Sequence, residues 1–230
     1  YNGTLGMNFA VLRIGEKEFP DYRESREYFV RWHHRQDPKA NPSFNFSANV
    51  NAGTSKYQTY NSNTANDYLS NTFQSNISMV KSWQGKPYNF SVNMSHNQNT
   101  ILHTVNVVLP EAAFTAGRLY PFKKKQVVRK PNVFEKIGLS PSIYARNQVN
   151  TIDTLLLKGN LPEKFQNGTK AILPVSTSFN IGPFIVTPSA GANAYGSFQK
   201  TKKKWDSLND SLITDTFPGF ATAYDYNAGV

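Results

Sequence analysis

Apolar and polar residues alternate one by one along several stretches of this chain. The clearest stretch covers residues 43–52, where every second residue is apolar: Phe44, Phe46, Ala48, Val50 and Ala52. Residues 4–11 and 88–97 repeat the pattern. Because successive side chains of a β-strand point to opposite faces, these stretches are predicted to be strands with one apolar and one polar face.

Less regular alternation predicts further strands and brings the total to about eleven. These additional segments are 28–35, 69–83, 102–109, 112–119, 136–147, 171–181, 184–198 and 217–230. Between them, the DPKANP segment at 37–42 and the QGKP segment at 84–87 read as turns, and 56–67 reads as a polar loop. No stretch has the 3.6-residue period of a helix. The sequence therefore predicts an all-β, mostly antiparallel fold.

Composition limits the classes of protein to which the chain can belong. The 230 residues include 16 Phe and 12 Tyr, which is too aromatic for a disordered chain. Cysteine is absent, so disulfides and thiolate zinc sites are excluded within this segment. No apolar run reaches the roughly 18 residues of a transmembrane helix. The chain begins at Tyr1, so we expect either a processed protein or a piece of a longer one.

Two all-β architectures fit the alternation, an outer-membrane β-barrel and a soluble β-sandwich. The polar faces carry mostly asparagine, serine and threonine, small neutral residues that suit the water-filled lumen of a barrel. The positions predicted to face such a lumen are Asn45, Ser47, Asn49, Asn51, Asn89, Ser91, Asn93 and Ser95. Aromatic residues near predicted strand ends, such as Trp32 and Trp83, suit the interfacial girdles of a barrel. The residues alone favour the barrel and leave the sandwich open.

Positive charge is concentrated in two segments that read as loops. The formal net charge is +10, and the basic residues concerned are Lys123, Lys124, Lys125, Arg129, Lys130, Lys200, Lys202, Lys203 and Lys204. They are interpreted either as solvated loop residues or as contacts for phosphorylated sugars and anionic lipid headgroups. No nucleic-acid partner is predicted, because no aromatic and basic binding motif accompanies the charge.

The sequence offers no constellation of residues for catalysis. The motifs GxSxG and HExxH and the P-loop are all absent. The adjacent His33 and His34 would point to opposite faces of a strand and could not easily share a metal ion. The aspartates of the segment 205–216 read as loop residues. We therefore predict a protein that is not an enzyme and that holds no metal or cofactor.

Five long segments carry a resemblance to a known family. They are VRWHHRQDPKANPSFNFSANVNAGTSKYQTYN at 30–61, NDYLSNTFQSNISMVKSW at 66–83, NFSVNMSHNQNT followed by HTVNVVLPEAAFTAGRLYPFKKK within 89–125, VFEKIGLSPSIYARNQVNTIDTLL at 133–156 and DTFPGFATAYDYNAGV at 215–230. They resemble the Bacteroidetes branch of the outer-membrane lipopolysaccharide-assembly family LptD, also called OstA or Imp. The resemblance extends over essentially the whole of residues 1–230.

This resemblance implies a segment of a very large β-barrel in the outer membrane of a Gram-negative cell. Such a barrel receives lipopolysaccharide from a periplasmic bridge protein and delivers it through the lumen and a lateral opening to the outer leaflet. Members of the family enclose a plug lipoprotein (LptE-like) and carry a periplasmic jelly-roll domain, which is expected upstream of this chain.

With about eleven predicted strands, residues 1–230 are expected to form an interior piece of one barrel domain, in contact with outer-membrane lipids. The alternatives are another outer-membrane barrel, such as a TonB-dependent transporter or a porin, and a soluble carbohydrate-binding sandwich.

Overall fold

The computed structural model describes residues 2–61, 65, 69, 71–124, 132–156, 164–207 and 210–230. Within these residues the strands are β1 (Asn2–Ile14), β2 (Arg23–Arg35), β3 (Phe44–Gly53), β4 (Thr72–Ser82), β5 (Tyr88–Asn99), β6 (Thr104–Ala116), β7 (Gly138–Leu139), β8 (Ser142–Ile152), β9 (Gln166–Ser176), β10 (Phe179–Ile181), β11 (Phe184–Val186), β12 (Ser189–Asp206) and β13 (Ser211–Gly229). The helical segments are α1 (Tyr57–Asn61), a 3-10 turn (Phe134–Lys136) and α2 (Asp153–Leu156). No helix among the described residues is long and apolar enough to cross a membrane.

Eleven of the strands form one sheet whose order follows the chain. The order is β1-β2-β3-β4-β5-β6-β8-β9-β12-β13, with β7 beside β9, while β10 and β11 pair with each other. Among the described residues, β1 pairs only with β2 and β13 only with β12, so the sheet is not closed. This arrangement confirms the predicted all-β, antiparallel fold with a partial barrel sheet.

Contacts within the chain define two compact units. The first consists of Tyr1–Val80, Val92–Pro110 and Gln148–Phe165, and the second of Lys81–Ser91, Glu111–Asn147 and Gln166–Val230. In the first unit, three buried valines form a small core against which two further apolar residues pack: Val105, Val107, Val149, Leu156 and Phe165. The assignment of the whole chain to one barrel domain stays a prediction.

The strands β1, β2 and β3 of the first unit form a ladder with two chemically different faces. Directly opposite residues of neighbouring strands share a face. One face carries the apolar rows Leu5–Trp32–Val50 and Met7–Val30–Ala52. The other carries the polar rows Thr4–His33–Asn49 and Gly6–Arg31–Asn51. The predicted alternation is therefore kept across three paired strands.

The apolar face of this ladder is open to its surroundings at β1. Leu5 is 68% exposed, Met7 72% and Phe9 67%. A ladder that left such a row in water would lose about 1.5–3 kcal/mol for each large apolar side chain relative to burial. This face therefore requires an apolar environment.

The DPKANP segment forms the connection between β2 and β3, as predicted. The Asp37 carboxylate accepts a hydrogen bond from the Lys39 backbone N–H at 2.9 Å, and the Ala40 N–H donates to the Asp37 carbonyl at 3.0 Å. Next to this turn, the buried Gln36 side chain donates to the Phe44 carbonyl at 2.8 Å and accepts from the Phe46 N–H at 3.1 Å. The Gln36 side chain thus satisfies backbone groups where the ladder opens into the turn.

Several expectations about local structure were wrong. The strand predicted at 171–181 is divided between β9 and β10, and the one predicted at 184–198 between β11 and β12. The segments 102–109 and 112–119 form one strand, β6, because the strand continues through Pro110. The polar loop at 56–67 contains the helix α1, which is too short to show a helical period. The loops expected at 200–204 and 205–216 are largely strand, because β12 and β13 stay paired out to Asp206 and Ser211. Both faces of this part of the hairpin are exposed, so no difference between them marks it in the sequence as an alternation.

Candidate functional site

The polar face of β3 lies beside a row of cationic and imidazole side chains on β2. The predicted lumen-facing residues Ser47, Asn49 and Asn51 stand opposite Arg35, His33 and Arg31, respectively. Asn45 lies two residues before Ser47 and shares its face by alternation. The structure thus adds two arginines to the site that the sequence analysis left out.

The two histidines of this region do point to opposite faces, as predicted. His33 stands in the polar row with Thr4 and Asn49, whereas His34 stands opposite Gly3 and Ala48. The His34 ring lies against apolar-face aromatics, 6.4 Å from the Trp32 centroid and 5.5 Å from the Phe46 centroid. His33 therefore lies in the polar row and His34 in the apolar one, although both line the cavity of about 440 Å³ described next.

Two cavities lie along the polar face of β3 and share Asn49. One, of about 440 Å³, is lined by residues that include His33, Arg35, Asn45, Ser47, Asn49 and Asn76. The other, of about 350 Å³, is lined by residues that include Arg31, Asn49, Asn51, Gln58 and Gln74. The linings include amides, hydroxyls, imidazoles and two guanidinium groups, together with apolar side chains such as Phe29 and Phe73. Such a lining can hydrogen-bond sugar hydroxyls and attract anionic groups.

The asparagines of this face are held in place by neighbouring residues. The Ser75 hydroxyl accepts a hydrogen bond from the Asn51 N–H and donates one to the Asn51 carbonyl, both at 3.0 Å. The Asn51 side-chain amide donates to the Asn49 side-chain oxygen at 3.4 Å. Ser75 thus fixes the backbone of Asn51, and the bond between the two side-chain amides limits their rotamers, which lowers the entropy that a ligand would have to remove on binding.

The other four predicted lumen residues all lie in β5. Asn89, Ser91, Asn93 and Ser95 alternate along the strand with Phe90, Val92 and Met94. Asn89 and Ser95 are exposed, and Ser91 and Asn93 are half-buried. By strand alternation they share one face of β5, and their orientation toward a lumen stays a prediction.

The first basic group lies in the connection after β6. Lys123 and Lys124 are exposed, and the Lys123 ammonium lies 5.9 Å from the centroid of the Tyr120 ring. The remaining predicted members of this group, Lys125, Arg129 and Lys130, lie outside the described residues. The loop placement is therefore confirmed for the two described lysines.

The second basic group lies on a strand, which corrects the prediction of a loop. Lys200, Lys202, Lys203 and Lys204 all belong to β12 and are exposed. Lys202 stands directly opposite Asp215 of β13, and Lys204 stands opposite Ile213. This group thus presents its cations on both faces of a paired strand, with one acidic side chain opposite one lysine.

A separate polar cluster links three connections of the first unit. The Asp153 carboxylate accepts a hydrogen bond from the Ser55 hydroxyl, and the His103 Nδ1 lies 3.0 Å from the same carboxylate oxygen. The Gln98 side-chain amide donates to the Ser55 oxygen at 3.0 Å. Nucleophilic catalysis would need the serine bonded to the imidazole, and here it is bonded to the carboxylate. We therefore interpret the cluster as a set of structural hydrogen bonds that hold these connections together.

Acid is expected to weaken the hydrogen bonds to the Asp153 carboxylate. Burial raises the pKa of Asp153, but hydrogen bonds from Ser55 and His103 outweigh it and hold the pKa below its usual value. A lowered folded-state pKa gives stability that is present at neutral pH and lost as the pH falls below about 4. Replacing Asp153 by asparagine should lower the free energy of unfolding at pH 7 by about 1–2 kcal/mol and flatten its decline in acid.

Urea unfolding of the full-length protein in detergent, between pH 7 and pH 3, measures both effects. The variant Asp21→Asn, at an exposed position between β1 and β2, is the matched control for the loss of one carboxylate and should keep the wild-type free energy of unfolding at pH 7. An equal acid decline in wild type and Asp153→Asn would show that the carboxylate does not contribute in this way.

Comparison with known proteins gives one match. A family model described as LptD protein matches residues 1–230, the range that contains every strand and both basic groups. No curated protein sequence matches the chain at a significant level.

Proposed function

Because the chain belongs to the LptD family, we propose that it forms part of the outer-membrane barrel that inserts lipopolysaccharide into the outer leaflet of a Gram-negative cell. LptD proteins are β-barrel proteins of lipopolysaccharide transport and assembly at the outer membrane, and theirs is not an enzyme family. The protein would then guide a lipid along its surfaces and would neither make nor break covalent bonds.

The observation that carries this proposal is the two-faced ladder of β1, β2 and β3. Its apolar face exposes a row of large side chains, whereas its polar face carries amides, hydroxyls and guanidinium groups. A lipid-facing band backed by a polar lumen has this chemistry. A soluble carbohydrate-binding sandwich would bury the apolar row and is disfavoured.

The same two faces suggest how each part of the lipid travels. The sugar portion would move along the asparagine and serine residues of β3 and β5, exchanging hydrogen bonds with water for hydrogen bonds with the side chains. The acyl chains would reach the bilayer through a weakly paired seam between strands of the complete barrel. The hydrophobic effect then drives release into the outer leaflet.

We further propose that residues 1–230 contribute strands to a larger barrel of the Bacteroidetes type. Within the described residues, β1 and β13 each have one edge without a partner strand. In lipid an unsatisfied backbone group costs several kcal/mol, roughly the cost of moving an amide into an apolar medium. Neighbouring strands that continue the sheet at both edges would remove that cost, and one barrel domain would include all of residues 1–230.

The proposed protein partners rest on the family resemblance. A plug lipoprotein (LptE-like) would contact the polar faces from inside the barrel, and a periplasmic bridge protein would deliver lipopolysaccharide through an N-terminal jelly-roll domain. Outer-membrane lipids would contact the apolar face at residues such as Leu5 and Met7, which are exposed. No nucleic acid or cofactor takes part in this proposal.

Conditional depletion of the full-length protein tests the function directly. Newly made lipopolysaccharide should fail to reach the cell surface and should accumulate in inner-membrane fractions, as measured by pulse labelling and surface modification. Re-expression of the wild-type protein should restore delivery. Normal surface delivery in depleted cells would contradict the proposal.

The basic connection after β6 is proposed to contact the phosphorylated part of lipopolysaccharide. Replacing Lys123, Lys124 and Lys125 together by glutamine should reduce photo-crosslinking of lipopolysaccharide to a probe placed at Tyr120, because three cations near the phosphate groups are lost. We expect roughly a threefold to tenfold loss, in keeping with solvent-exposed charge contacts.

The matched control removes three cations from the connection between β1 and β2 and its flanks, by the changes Arg13→Gln, Lys17→Gln and Arg23→Gln. This control should leave crosslinking at Tyr120 unchanged. An equal yield in the lysine variant and the wild type would assign the lysines to solvation alone.

A further inference from the structure

The hairpin of β12 and β13, in the second unit, extends beyond the strand beside it. Among the described residues, β12 pairs with β9 only from Ser189 to Gly196, whereas its pairing with β13 continues to Asp206. A strand that crosses the outer membrane needs about 9–11 residues, and β12 has 18. A crossing that begins at Ser189 therefore ends near Phe198, and the rest of the hairpin stands among the lipid headgroups and beyond them.

The paired part of this hairpin has two chemically different faces. One face carries the rows Leu173–Ala192–Tyr226 and Ala171–Ala194–Tyr224, which hold no charged residue. The other carries the rows Ile172–Asn193–Asp225 and Lys170–Tyr195–Ala223. The uncharged face is the one that suits lipid, and its two tyrosines are exposed.

Three of the lysines continue the uncharged face along β12. Side chains alternate along a strand, so positions 190, 192, 194, 196 and 198 share that face with the lysines at 200, 202 and 204. We name Lys200, Lys202 and Lys204 the outer lysine row. Along this face alanine and glycine are followed by Phe198 and then by the row, which is the order of hydrocarbon, interface and headgroups in a membrane.

An irregularity in the ladder lies where the row begins, and it keeps this order in place. Between the pairs 197–221 and 199–218, β12 advances by two residues and β13 by three, so the extra residue belongs to β13. The Phe198 and Phe220 rings lie there 5.4 Å apart, and both are exposed. Exposed aromatic residues at this level are typical of the interfacial girdle of a barrel.

The neighbours of the row distinguish its members. Lys202 stands opposite Asp215, whereas Lys200 stands opposite Phe217 and Lys204 opposite Ile213. The two outer lysines therefore have apolar residues beside them, and both of these residues are 43% exposed. With Asp206 on the same face, three lysines stand against two carboxylates, which leaves a positive excess. Cations beside exposed apolar side chains have the chemistry of a surface that binds anionic lipid.

The Lys200 side chain is placed for such a contact. A Cβ at Gly219 would lie 3.1 Å from the Lys200 Cδ and 3.3 Å from its Cε, so the methylene stem covers the bare backbone of this glycine. A lysine whose stem packs on protein surface keeps its ammonium group in the polar layer. Lys204 follows four residues later, roughly 13 Å along the strand, so the two ammonium groups would meet anions at two different depths.

We propose that the outer lysine row binds the phosphorylated sugars of lipopolysaccharide that already resides in the leaflet around the barrel. This inference rests on the proposed function for the identity of the membrane. It adds a site on the outside of the barrel, separate from the polar face that carries lipid in transit, and it places the tip of the hairpin on the outer side. A phospholipid holds its phosphate at one depth, whereas a phosphorylated glycolipid presents phosphates at several. The spacing of Lys200 and Lys204 fits the glycolipid.

Photo-crosslinking at the tip of the hairpin tests this site without altering a proposed contact. The crosslinking amino acid replaces Ser211, which stands opposite Asp206 on the face of the row, in the full-length protein in its complex. The complex is reconstituted in phosphatidylcholine vesicles that contain lipopolysaccharide, the same lipopolysaccharide after phosphatase treatment, or phosphatidylglycerol. Intact lipopolysaccharide should give a yield about threefold or more above either of the others.

Substitutions on the two faces of β12 provide matched variants. Lys200→Gln with Lys204→Gln should lower the yield with intact lipopolysaccharide about tenfold and leave the yield with the phosphatase-treated form unchanged. Lys204→Gln alone should lower it about threefold, whereas Lys203→Gln, on the opposite face of the same strand, should behave as wild type. Heat-modifiable gel migration confirms folding, and if the double variant does not fold, the two single variants carry the comparison.

The outcomes distinguish this inference from the proposed function. Equal yields with intact and phosphatase-treated lipopolysaccharide, equal yields in Lys203→Gln and Lys204→Gln, or a yield with phosphatidylglycerol as high as that with lipopolysaccharide would each overturn the outer site. None of these results affects the delivery of lipopolysaccharide to the cell surface. Normal surface delivery in depleted cells would instead overturn the proposed function, whatever the crosslinking yields.

Discussion

Replacing Val50 by arginine is expected to remove most of the folded protein from the outer membrane. Val50 lies on the apolar face of the first unit, opposite Trp32 and in the row that includes Leu5. An arginine facing lipid at mid-membrane depth costs about 2–4 kcal/mol, a large share of the stability of a typical domain. Heat-modifiable gel migration of the full-length protein, together with urea unfolding in lipid vesicles, measures the loss.

The same substitution at the neighbouring residue is the matched control. Asn49 lies on the polar face, so an arginine there remains solvated, and its repulsion from Arg31 and Arg35 is about 1 kcal/mol in a wet environment. Asn49→Arg should therefore keep most of the folded protein. Equal losses at positions 49 and 50 would contradict the assignment of the two faces.

Replacing Gly53 by alanine is expected to lower the free energy of unfolding by about 1–3 kcal/mol, the usual cost of overpacking. A Cβ at this position would lie 2.5 Å from the Tyr28 carbonyl oxygen and 2.7 Å from a ring carbon of Phe29. The Phe29 ring is packed between Tyr57 and Phe73 and cannot move away without loss. Urea unfolding of the full-length variant gives the change.

The control for this prediction is another glycine of the same ladder. A Cβ at Gly6 would meet only the Arg31 carbonyl oxygen, at 3.9 Å, which is ordinary contact. Gly6→Ala should change the free energy of unfolding by less than about 0.5–1 kcal/mol, and it can increase it because alanine is better tolerated than glycine within a strand. A loss at Gly53 no greater than at Gly6 would rule out the close packing of Phe29.

The strands could be predicted where apolar and polar residues alternate along the chain, because that pattern is visible in neighbouring residues alone. Residues 43–52 alternate without interruption, and β3 follows them from Phe44 to Gly53. The hairpin of β12 and β13 carries no such pattern beyond Gln199, because both of its faces are exposed there. Local alternation reports a difference in environment between two faces, and it fails where the two environments are alike.

The composition of the site depended on which strands are neighbours. The alternation within RWHHR already places Arg31, His33 and Arg35 on one face, yet only the register with β3 sets them against Asn51, Asn49 and Ser47. The hydrogen bond between Ser55 and Asp153 joins residues 98 positions apart, and no periodic pattern in the sequence predicts it. Cross-strand and long-range contacts of this kind follow from the sheet order and not from neighbouring residues.

Photo-crosslinking at successive residues of β3 tests most directly whether the polar face carries lipopolysaccharide. A crosslinking amino acid is placed in turn at each position from 45 to 52 of the full-length protein in growing cells. Lipopolysaccharide should crosslink at Asn45, Ser47, Asn49 and Asn51 and at least several-fold less at Phe46, Ala48, Val50 and Ala52, because side chains alternate between the faces. Equal crosslinking at odd and even positions, or crosslinking confined to the even ones, would contradict transport along the polar face.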